Sequence, residues 1–233
     1  MKYKKHIYCA IDITNLNKAT NFVSKISSHL GGIKLGLEFF MKNGYEGVKE
    51  MKNLGLPIFL DLKLNDIPNT VERAAQNILD LEPEYLSVHI NGGLDMLTKL
   101  VSIKKKTKIL GVSMLTSLDN SDLKSFGFKI DSKEYVKNLL KIGIKAGIDG
   151  IVSSAHEVPF IKKIVKSKKF TYVTPGIRLP EDSTDDQKRI ISPGEALKLG
   201  ASILIIGRSI TQSKNPIEKI EQICESIEVK LDY

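Results

Sequence analysis

The fold of this chain is decided by one stretch in which an apolar run leads into a cluster of charges, Pro57-Ile58-Phe59-Leu60-Asp61-Leu62-Lys63-Leu64-Asn65-Asp66-Ile67. Its apolar half is typical of a buried strand. Residues two apart on a strand lie on the same side, so we expect Asp61 and Lys63 to emerge together at the strand's carboxyl end, with Asp66 just beyond. Charges at this place are costly unless they pair or perform chemistry. The stretch therefore predicts either a functional site or an ion-paired strand end that leads into a helix.

The same kind of apolar run recurs along the whole chain. Segments with helical periodicity separate the runs, among them Val71–Leu79, Glu134–Lys145 and Val158–Val165. Ser192-Pro193 and Asn215-Pro216 have the form of helix starts. The runs predict eight strands, at Ile7–Ile11, Gly32–Leu35, Ile58–Leu62, Leu86–Ile90, Ile109–Met114, Gly150–Ser153, Tyr172–Thr174 and Ile203–Ile206.

Alternating strands and helices predict a parallel sheet. Eight such units in 233 residues predict an α/β fold of the TIM type, a single (β/α)₈ barrel domain over residues 1–233. An open, doubly wound sheet is the alternative, but no Gly-x-Gly-x-x-Gly follows the first strand. No linker or low-complexity segment divides the chain, and we expect Val229–Tyr233 to be a short tail.

Composition narrows the class of protein. Hydrophobic residues make up 42% and charged residues 27%, as in ordinary soluble proteins, and no apolar run is long enough to span a bilayer. No signal peptide is apparent, and Cys9 and Cys224 lie outside any metal-type cluster, so we expect reduced thiols in a cytoplasmic protein. The net charge of +8 comes without an RNA-binding aromatic motif. We therefore expect neither nucleic acid nor membrane as a partner, and a field that favours small anions.

A barrel of this type carries its functional groups just after its strands, at one face. Candidate side chains do lie at or just after the ends of the predicted strands. His89, at the end of the fourth, fits a metal ligand, a base or a packed core histidine, and we favour the structural role. In strand order the candidates are Asp12, Lys34, Asp61 with Lys63, His89, Thr116 with Ser117, Ser154 with His156, Pro175 to Arg178, and Gly207 to Ser209.

The last two loops have the character of a phosphate site. Gly207-Arg208 follows the eighth strand, where barrels often bind phosphate, and glycine permits close backbone approach while arginine offers a bidentate fork. Arg178 precedes the polar, aperiodic segment Leu179–Asp186. This segment predicts a lid with Gly176 as its hinge, or else an ordinary solvent loop.

These motifs resemble the orotidine 5′-phosphate decarboxylase family, in its bacterial form. Asp61-x-Lys63-x-x-Asp66-Ile67-Pro68-Asn69-Thr70 resembles its signature, and Lys34 to Glu38 its second-strand motif. The likeness runs from Ala10 to Thr211. The first motif alone is shared with related sugar-phosphate lyases, whereas its combination with the others is specific. Those others are the phosphate-end motifs Thr174 to Arg178, Asp186-Gln187 and Ile206 to Arg208.

The resemblance implies that the protein converts orotidine 5′-phosphate to UMP and CO₂ without a metal or organic cofactor, in the last step of de novo pyrimidine synthesis. It implies a homodimer in which Asp66, Ile67 and Thr70 reach into the partner's site. The implied catalytic residues are Lys34, Asp61, Lys63, which protonates C6, and Asp66. The implied substrate-binding residues are Asp12, Lys34, Asp61, Ile67, Thr70, Thr116, Arg178, Gln187, Gly207 and Arg208. Thr116 could exchange roles with Ser117 in contacting the base.

Two other functions are open at this point. A related barrel enzyme would act on a sugar phosphate with Mg²⁺ held by the aspartates, but such enzymes carry a carboxylate where this chain has Lys34, whose charge repels a divalent cation. A non-catalytic nucleotide-binding barrel is the second alternative, because a fold does not define a function. The charge set of Asp61, Lys63 and Asp66 argues against it, since a pure binder has no need of these groups.

Overall fold

The computed structural model describes residues 1–179, 182 and 191–232. Within them eight parallel strands form a closed barrel in chain order, with the last strand paired to the first. The predicted (β/α)₈ barrel is confirmed, and the strand positions differ from prediction by at most two residues at either end. The strands are β1 Ile7–Ile11, β2 Gly32–Gly36, β3 Ile58–Leu64, β4 Tyr85–His89, β5 Lys108–Val112, β6 Gly150–Val152, β7 Thr171–Thr174 and β8 Ile203–Ile206.

Helices follow the strands. Short 3₁₀ turns at 4–6, 27–29, 90–92 and 155–157 complete the connections. In the part of the chain that the structure describes, no helix combines the length and apolar character needed to cross a membrane. The helices are α1 Leu16–Ile26, α2 Leu37–Lys52, α3 Pro68–Leu79, α4 Leu94–Ile103, α5 Asn120–Ser125, α6 Ser132–Ala146, α7 Val158–Ile164, α8 Pro193–Lys198, α9 Arg208–Thr211 and α10 Pro216–Asp232.

Both predicted helix starts are present. The Ser192 hydroxyl accepts a hydrogen bond from the Glu195 amide at 3.3 Å and caps α8, and the Asn215 side chain accepts one from the Glu218 amide at 3.4 Å at the start of α10. The predicted short tail is wrong, because α10 continues through Val229 to Asp232. Buried isoleucines at helical spacing hold this last helix against the core; they are Ile220, Ile223 and Ile227.

The apolar strands are buried on both faces, as expected for a parallel sheet covered by helices. Along β8, Ile203 and Ile205 point into the barrel, whereas Leu204 and Ile206 pack beneath the helices. The interior layer closes the barrel and provides the floor on which any site at its mouth must rest. Its members are Tyr8, Ala10, Phe59, Tyr85, Leu110, Val112, Val152, Val173, Ile203 and Ile205.

Truncation of the outer layer should destabilise the barrel. Leu86 in β4 has no solvent-exposed surface, so we expect Leu86→Ala to lower the free energy of unfolding by about 2–5 kcal/mol through lost burial and a residual cavity. Val229 is 63% exposed, and Val229→Ala is the matched control, with an expected change below about 0.5 kcal/mol. Urea denaturation measures both, and equal effects would contradict the packing described here.

Candidate active site

A cavity of about 290 Å³ lies at the carboxyl ends of the strands. Its floor is part of the apolar interior of the barrel and consists of Ala10, Phe59, Val112, Val152 and Ile205. The sequence analysis missed these floor residues, although alternation along the strands could have indicated them. The charged and polar groups of the walls come from β1, β2, β3, β5, β6, β7 and β8 or the loops that follow. The predicted site residues that line the cavity are Asp12, Lys34, Asp61, Lys63, Thr116, Arg178, Gly207 and Arg208.

The Asp61 carboxylate is the centre of the charge network. Its Oδ2 accepts a hydrogen bond from Lys63 Nζ at 2.7 Å and lies 3.4 Å from Lys34 Nζ, while its Oδ1 accepts one from the Ser87 hydroxyl at 2.9 Å. Burial favours the neutral acid and raises the pKa, but the two ammonium charges and the two hydrogen bonds outweigh it, so the pKa of Asp61 is lowered. Asp61 is therefore a buried, ionised carboxylate, and it holds two ammonium groups at the mouth of the barrel.

An irregularity in β3 brings Lys63 to this carboxylate. Leu60 pairs with Leu86 and Leu64 with Val88, so four steps along β3 match two along β4. Within this bulge Lys63 has a φ of +49°, which is rare for a residue other than glycine. Asp61 and Lys63 thus lie side by side as the sequence analysis expects, although regular strand alternation is not the cause.

Ser87 is a residue of this region that the sequence analysis missed. It lies in β4 with no solvent-exposed surface, and its Oγ accepts a hydrogen bond from the Lys63 backbone amide at 2.9 Å. Its position next to the charged pair depends on the register between β3 and β4, which no local pattern reveals.

Two glycines leave room for the side chains on the side of the cavity formed by β1, β2 and β8. A Cβ atom on Gly207 would lie 3.3 Å from Ala10 Cβ and 3.9 Å from an Asp12 carboxylate oxygen. A Cβ on Gly36 would lie 3.0 Å from Lys34 Nζ. Glycine at these two positions therefore leaves the strand ends open around Asp12 and Lys34.

Arg178 and Arg208, which follow β7 and β8, form a cationic end across the cavity from Asp61 and Lys63 on β3. Arg178 is 8% exposed, and its Nη1 donates a hydrogen bond to the Ile177 carbonyl at 2.9 Å. Both arginines also line a second cavity of about 270 Å³. Lys219 Nζ of α10 lies 2.7 Å from one Asp182 carboxylate oxygen, and the other accepts a hydrogen bond from the Leu179 amide at 2.9 Å. Guanidinium groups such as these can bind anionic oxygens through bidentate hydrogen bonds.

Three of the predicted residues lie away from the cavity of their own chain. Asp66, Ile67 and Thr70 are all exposed, Ile67 to 68%, and Asp66 Oδ1 accepts a hydrogen bond from the Ile67 amide at 2.7 Å. Gln187 lies outside the described residues, as does the segment Leu179–Asp186 apart from its residues 179 and 182.

Two open alternatives can be compared with the structure. Thr116 lines the cavity, whereas Ser117 is exposed and does not. His89 ends β4 half-buried, and burial together with the nearby Lys63 charge lowers its pKa, against the opposing effect of Asp61.

Among the described residues, no group of three or more His, Cys, Asp or Glu side chains could hold a metal ion.

The fold and the cavity together define a β/α-barrel protein with a charged site for a small anionic ligand. The chain belongs to the orotidine 5′-phosphate decarboxylase / HUMPS family, whose model matches residues 5–223. The expected family resemblance is thus confirmed.

Individual relatives agree with the family assignment. The orotidine 5′-phosphate decarboxylase of Sphingopyxis alaskensis is 47% identical, over 90% of this chain and 93% of that protein. The enzyme of the same name from Erythrobacter litoralis is 42% identical, over 97% and 98%. Among solved structures, orotidine 5′-phosphate decarboxylase from Lactobacillus acidophilus is 31% identical with a TM-score of 0.78, covering 95% of this chain and 98% of that one. An uncharacterized conserved protein from Geobacillus kaustophilus is 26% identical, with a TM-score of 0.82 over 95% and 99%.

The lowered pKa of Asp61 should be visible in the pH dependence of stability. A carboxyl whose folded pKa lies below its unfolded value, about 3.9, stabilises the fold above that pH and loses the contribution as the pH falls through the folded pKa. We therefore expect the unfolding free energy of the wild type, relative to Asp61→Asn, to fall between pH 7 and pH 3. Denaturation of both proteins at the two pH values measures this, and a relative value that rises on acidification would contradict an ionised Asp61.

Proposed function

We propose that this protein is an orotidine 5′-phosphate decarboxylase, which releases CO₂ from C6 of the pyrimidine and yields UMP in the last step of de novo pyrimidine synthesis. The observation that carries the proposal is the Lys63 ammonium, 2.7 Å from a buried carboxylate at the mouth of the barrel. Family membership supports it, because relatives that bear this name are 41–47% identical over most of the chain.

The chemistry follows from the charge set. When the bond between C6 and the carboxylate breaks, its electron pair stays on C6, and CO₂ leaves. The Lys63 ammonium attracts this developing charge and then donates the proton that forms the new C6–H bond, after which water reprotonates the amine. Unit charges 4 Å apart interact by about 4 kcal/mol at an effective dielectric near 20, so a single ammonium near C6 can stabilise the developing charge substantially.

Asp61 has two proposed roles. Its carboxylate orients the Lys63 ammonium, at 2.7 Å. It would also lie beside the substrate carboxylate, and the repulsion between these like charges is relieved when CO₂ departs. Lys34 Nζ, 3.4 Å from the same carboxylate, balances the charge, and together with Asp12 it would bind ribose hydroxyls.

The rest of the cavity would hold the nucleotide. Arg178 and Arg208, together with Gln187 and the Gly207 backbone, would bind the phosphate, and Thr116 would contact the base. Binding energy from the phosphate can then serve catalysis at the distant C6.

Turnover after metal removal is the decisive experiment. We expect the purified, EDTA-treated protein to convert orotidine 5′-phosphate to UMP, followed as loss of the orotate absorbance. A folded protein that neither converts orotidine 5′-phosphate nor binds UMP would favour the sugar-phosphate branch of the family. Binding of UMP without any turnover, in a folded protein, would favour a non-catalytic nucleotide-binding barrel.

We further propose a homodimer with shared active sites. Apolar side chains on α2, next to the strand that carries Lys34, are exposed: Leu37 by 47%, Met41 by 78% and Tyr45 by 40%. Ile67, in the loop after the neighbouring strand β3, is a further exposed apolar side chain, and exposed apolar groups of this kind are buried by association. A second copy seated there would receive Asp66, Ile67 and Thr70 into its own site.

Single-domain organisation and a cytoplasmic location complete the proposal. Both cysteines, Cys9 and Cys224, are buried free thiols, which supports a reducing compartment.

Removal of the proposed acid should separate chemistry from binding. We expect Lys63→Ala to lower kcat by at least about a thousandfold, because both the placed charge and the proton donor are lost, while UMP affinity falls far less. Lys141 in α6 is exposed, and Lys141→Ala is the control that should keep wild-type kinetics. Near-normal turnover by Lys63→Ala would refute the acid role.

Shared sites can be tested by mixing two inactive variants. One subunit with Lys63→Ala and one with Asp66→Ala should each be inactive, but their mixed dimer contains one site with both residues intact. After unfolding and refolding an equal mixture, we expect about a quarter of the wild-type activity. Mixing folded variants without exchange is the control, and no recovery in a verified mixed dimer would contradict Asp66 acting across the interface.

A further inference from the structure

Ser87 joins the two key residues of the site without lining the cavity. It lies in β4 opposite the bulge of β3, fully buried. Its hydroxyl donates to Asp61 Oδ1 at 2.9 Å and accepts from the Lys63 backbone amide at 2.9 Å. One hydroxyl therefore connects the carboxylate of one residue to the backbone of the other.

The first hydrogen bond fixes the direction of the carboxylate. With Oδ1 held by Ser87, Oδ2 is the oxygen presented to both ammonium groups, at 2.7 Å from Lys63 Nζ and 3.4 Å from Lys34 Nζ. Rotation of the Asp61 side chain would lose the hydrogen bond from Ser87 and separate these charges.

The second hydrogen bond serves the backbone. The register shift between Leu60 and Leu64 interrupts regular pairing to β4, and the Lys63 amide instead donates to the Ser87 hydroxyl. A buried amide without a partner is costly, so this hydroxyl stabilises the left-handed conformation of Lys63, φ +49°.

We propose that Ser87 is a positioning residue, whose hydroxyl sets the Lys63 ammonium by holding the Asp61 carboxylate and the Lys63 backbone in one arrangement. The kinetic part of this inference rests on the proposed function, whereas the geometric part does not.

A serine directly after β5, the strand next to β4, provides a matched control. Ser113 follows β5 and is 4% exposed, and among the described residues its hydroxyl has no hydrogen-bond partner. Ser87→Ala and Ser113→Ala thus remove the same atom from two buried places, and only the first removal breaks contacts with Asp61 and Lys63.

The kinetic test is a split between kcat and KM. For Ser87→Ala we expect kcat to fall by about tenfold or more with KM within about threefold, because the misplaced groups act in the transition state and not in nucleotide binding. Ser113→Ala should stay within about twofold of the wild type in both. Equal losses in the two variants, or an unchanged kcat in Ser87→Ala, would overturn the proposal.

The pH dependence of kcat distinguishes positioning from simple loosening of the core, because loosening alone would not shift its acid limb. The titratable side chains facing Asp61 are Lys34 from β2, Lys63 from β3 and His89 from β4. Ser87 donates to the ionised carboxylate, so its loss favours the protonated form and should move the acid limb of kcat to higher pH. An acid limb at the wild-type position would contradict the proposal.

Crystal structures of the two variants decide the geometry without any assay. In Ser87→Ala we expect the Lys63 backbone to leave its left-handed conformation, or the contact between Lys63 Nζ and Asp61 to lengthen; neither change should occur in Ser113→Ala. A wild type that fails to decarboxylate orotidine 5′-phosphate would refute the proposed function alone, and an unchanged geometry in Ser87→Ala would refute this inference alone. If Ser87→Ala does not fold, Ser87→Cys keeps the size with a much weaker donor and acceptor, and the same outcomes apply.

Discussion

The site depends on one buried carboxylate that stays ionised. Burying Asp61 would be unfavourable by itself, and the barrel offsets this cost with contacts from three neighbouring strands: Lys34 from β2, Lys63 from β3 and Ser87 from β4. The dependence is mutual, because the same carboxylate keeps two ammonium groups close together above an apolar floor. Removal of Asp61 would leave two ammonium groups close together without a counter-charge, so these groups form a unit.

The barrel gives this unit its surroundings. The interior layer that includes Phe59 and Val152 forms the floor of the cavity, so the charges lie between an apolar base and the solvent. A low local dielectric strengthens each interaction of the proposed reaction. The cationic end lies on the other side of the opening, where Arg178 and Arg208 follow β7 and β8. For the proposed function, this separation of the two ends would let the phosphate of a nucleotide be held while its base lies over the Lys63 ammonium.

The barrel and most of the residues at its mouth could be predicted from the sequence, because their signals are local. Apolar runs and helix caps are local signals, and a closed barrel places whatever follows its strands at one face, so Asp12 and Arg208 could be assigned to a common site from chain order alone. Ser87 could not, because its role depends on how β4 is aligned with the irregular part of β3. The length of α10 was missed for a similar reason, since its burial against the core comes from tertiary packing. Asp66 lies outside its own cavity, and a single chain contains no partner in which to place it.

The backbone of Lys63 shows how closely local strain and site geometry are linked. A residue other than glycine in the left-handed region costs about 1–3 kcal/mol and persists only where its surroundings over-determine it. Glycine would suit this φ of +49°, but it would remove the ammonium on which the site depends. Two contacts hold the conformation: the amide donates to Ser87, and the side chain donates to Asp61. The strain is therefore balanced by the same two residues that organise the charge network, which explains why an unfavourable backbone and a reactive ammonium occur at one position.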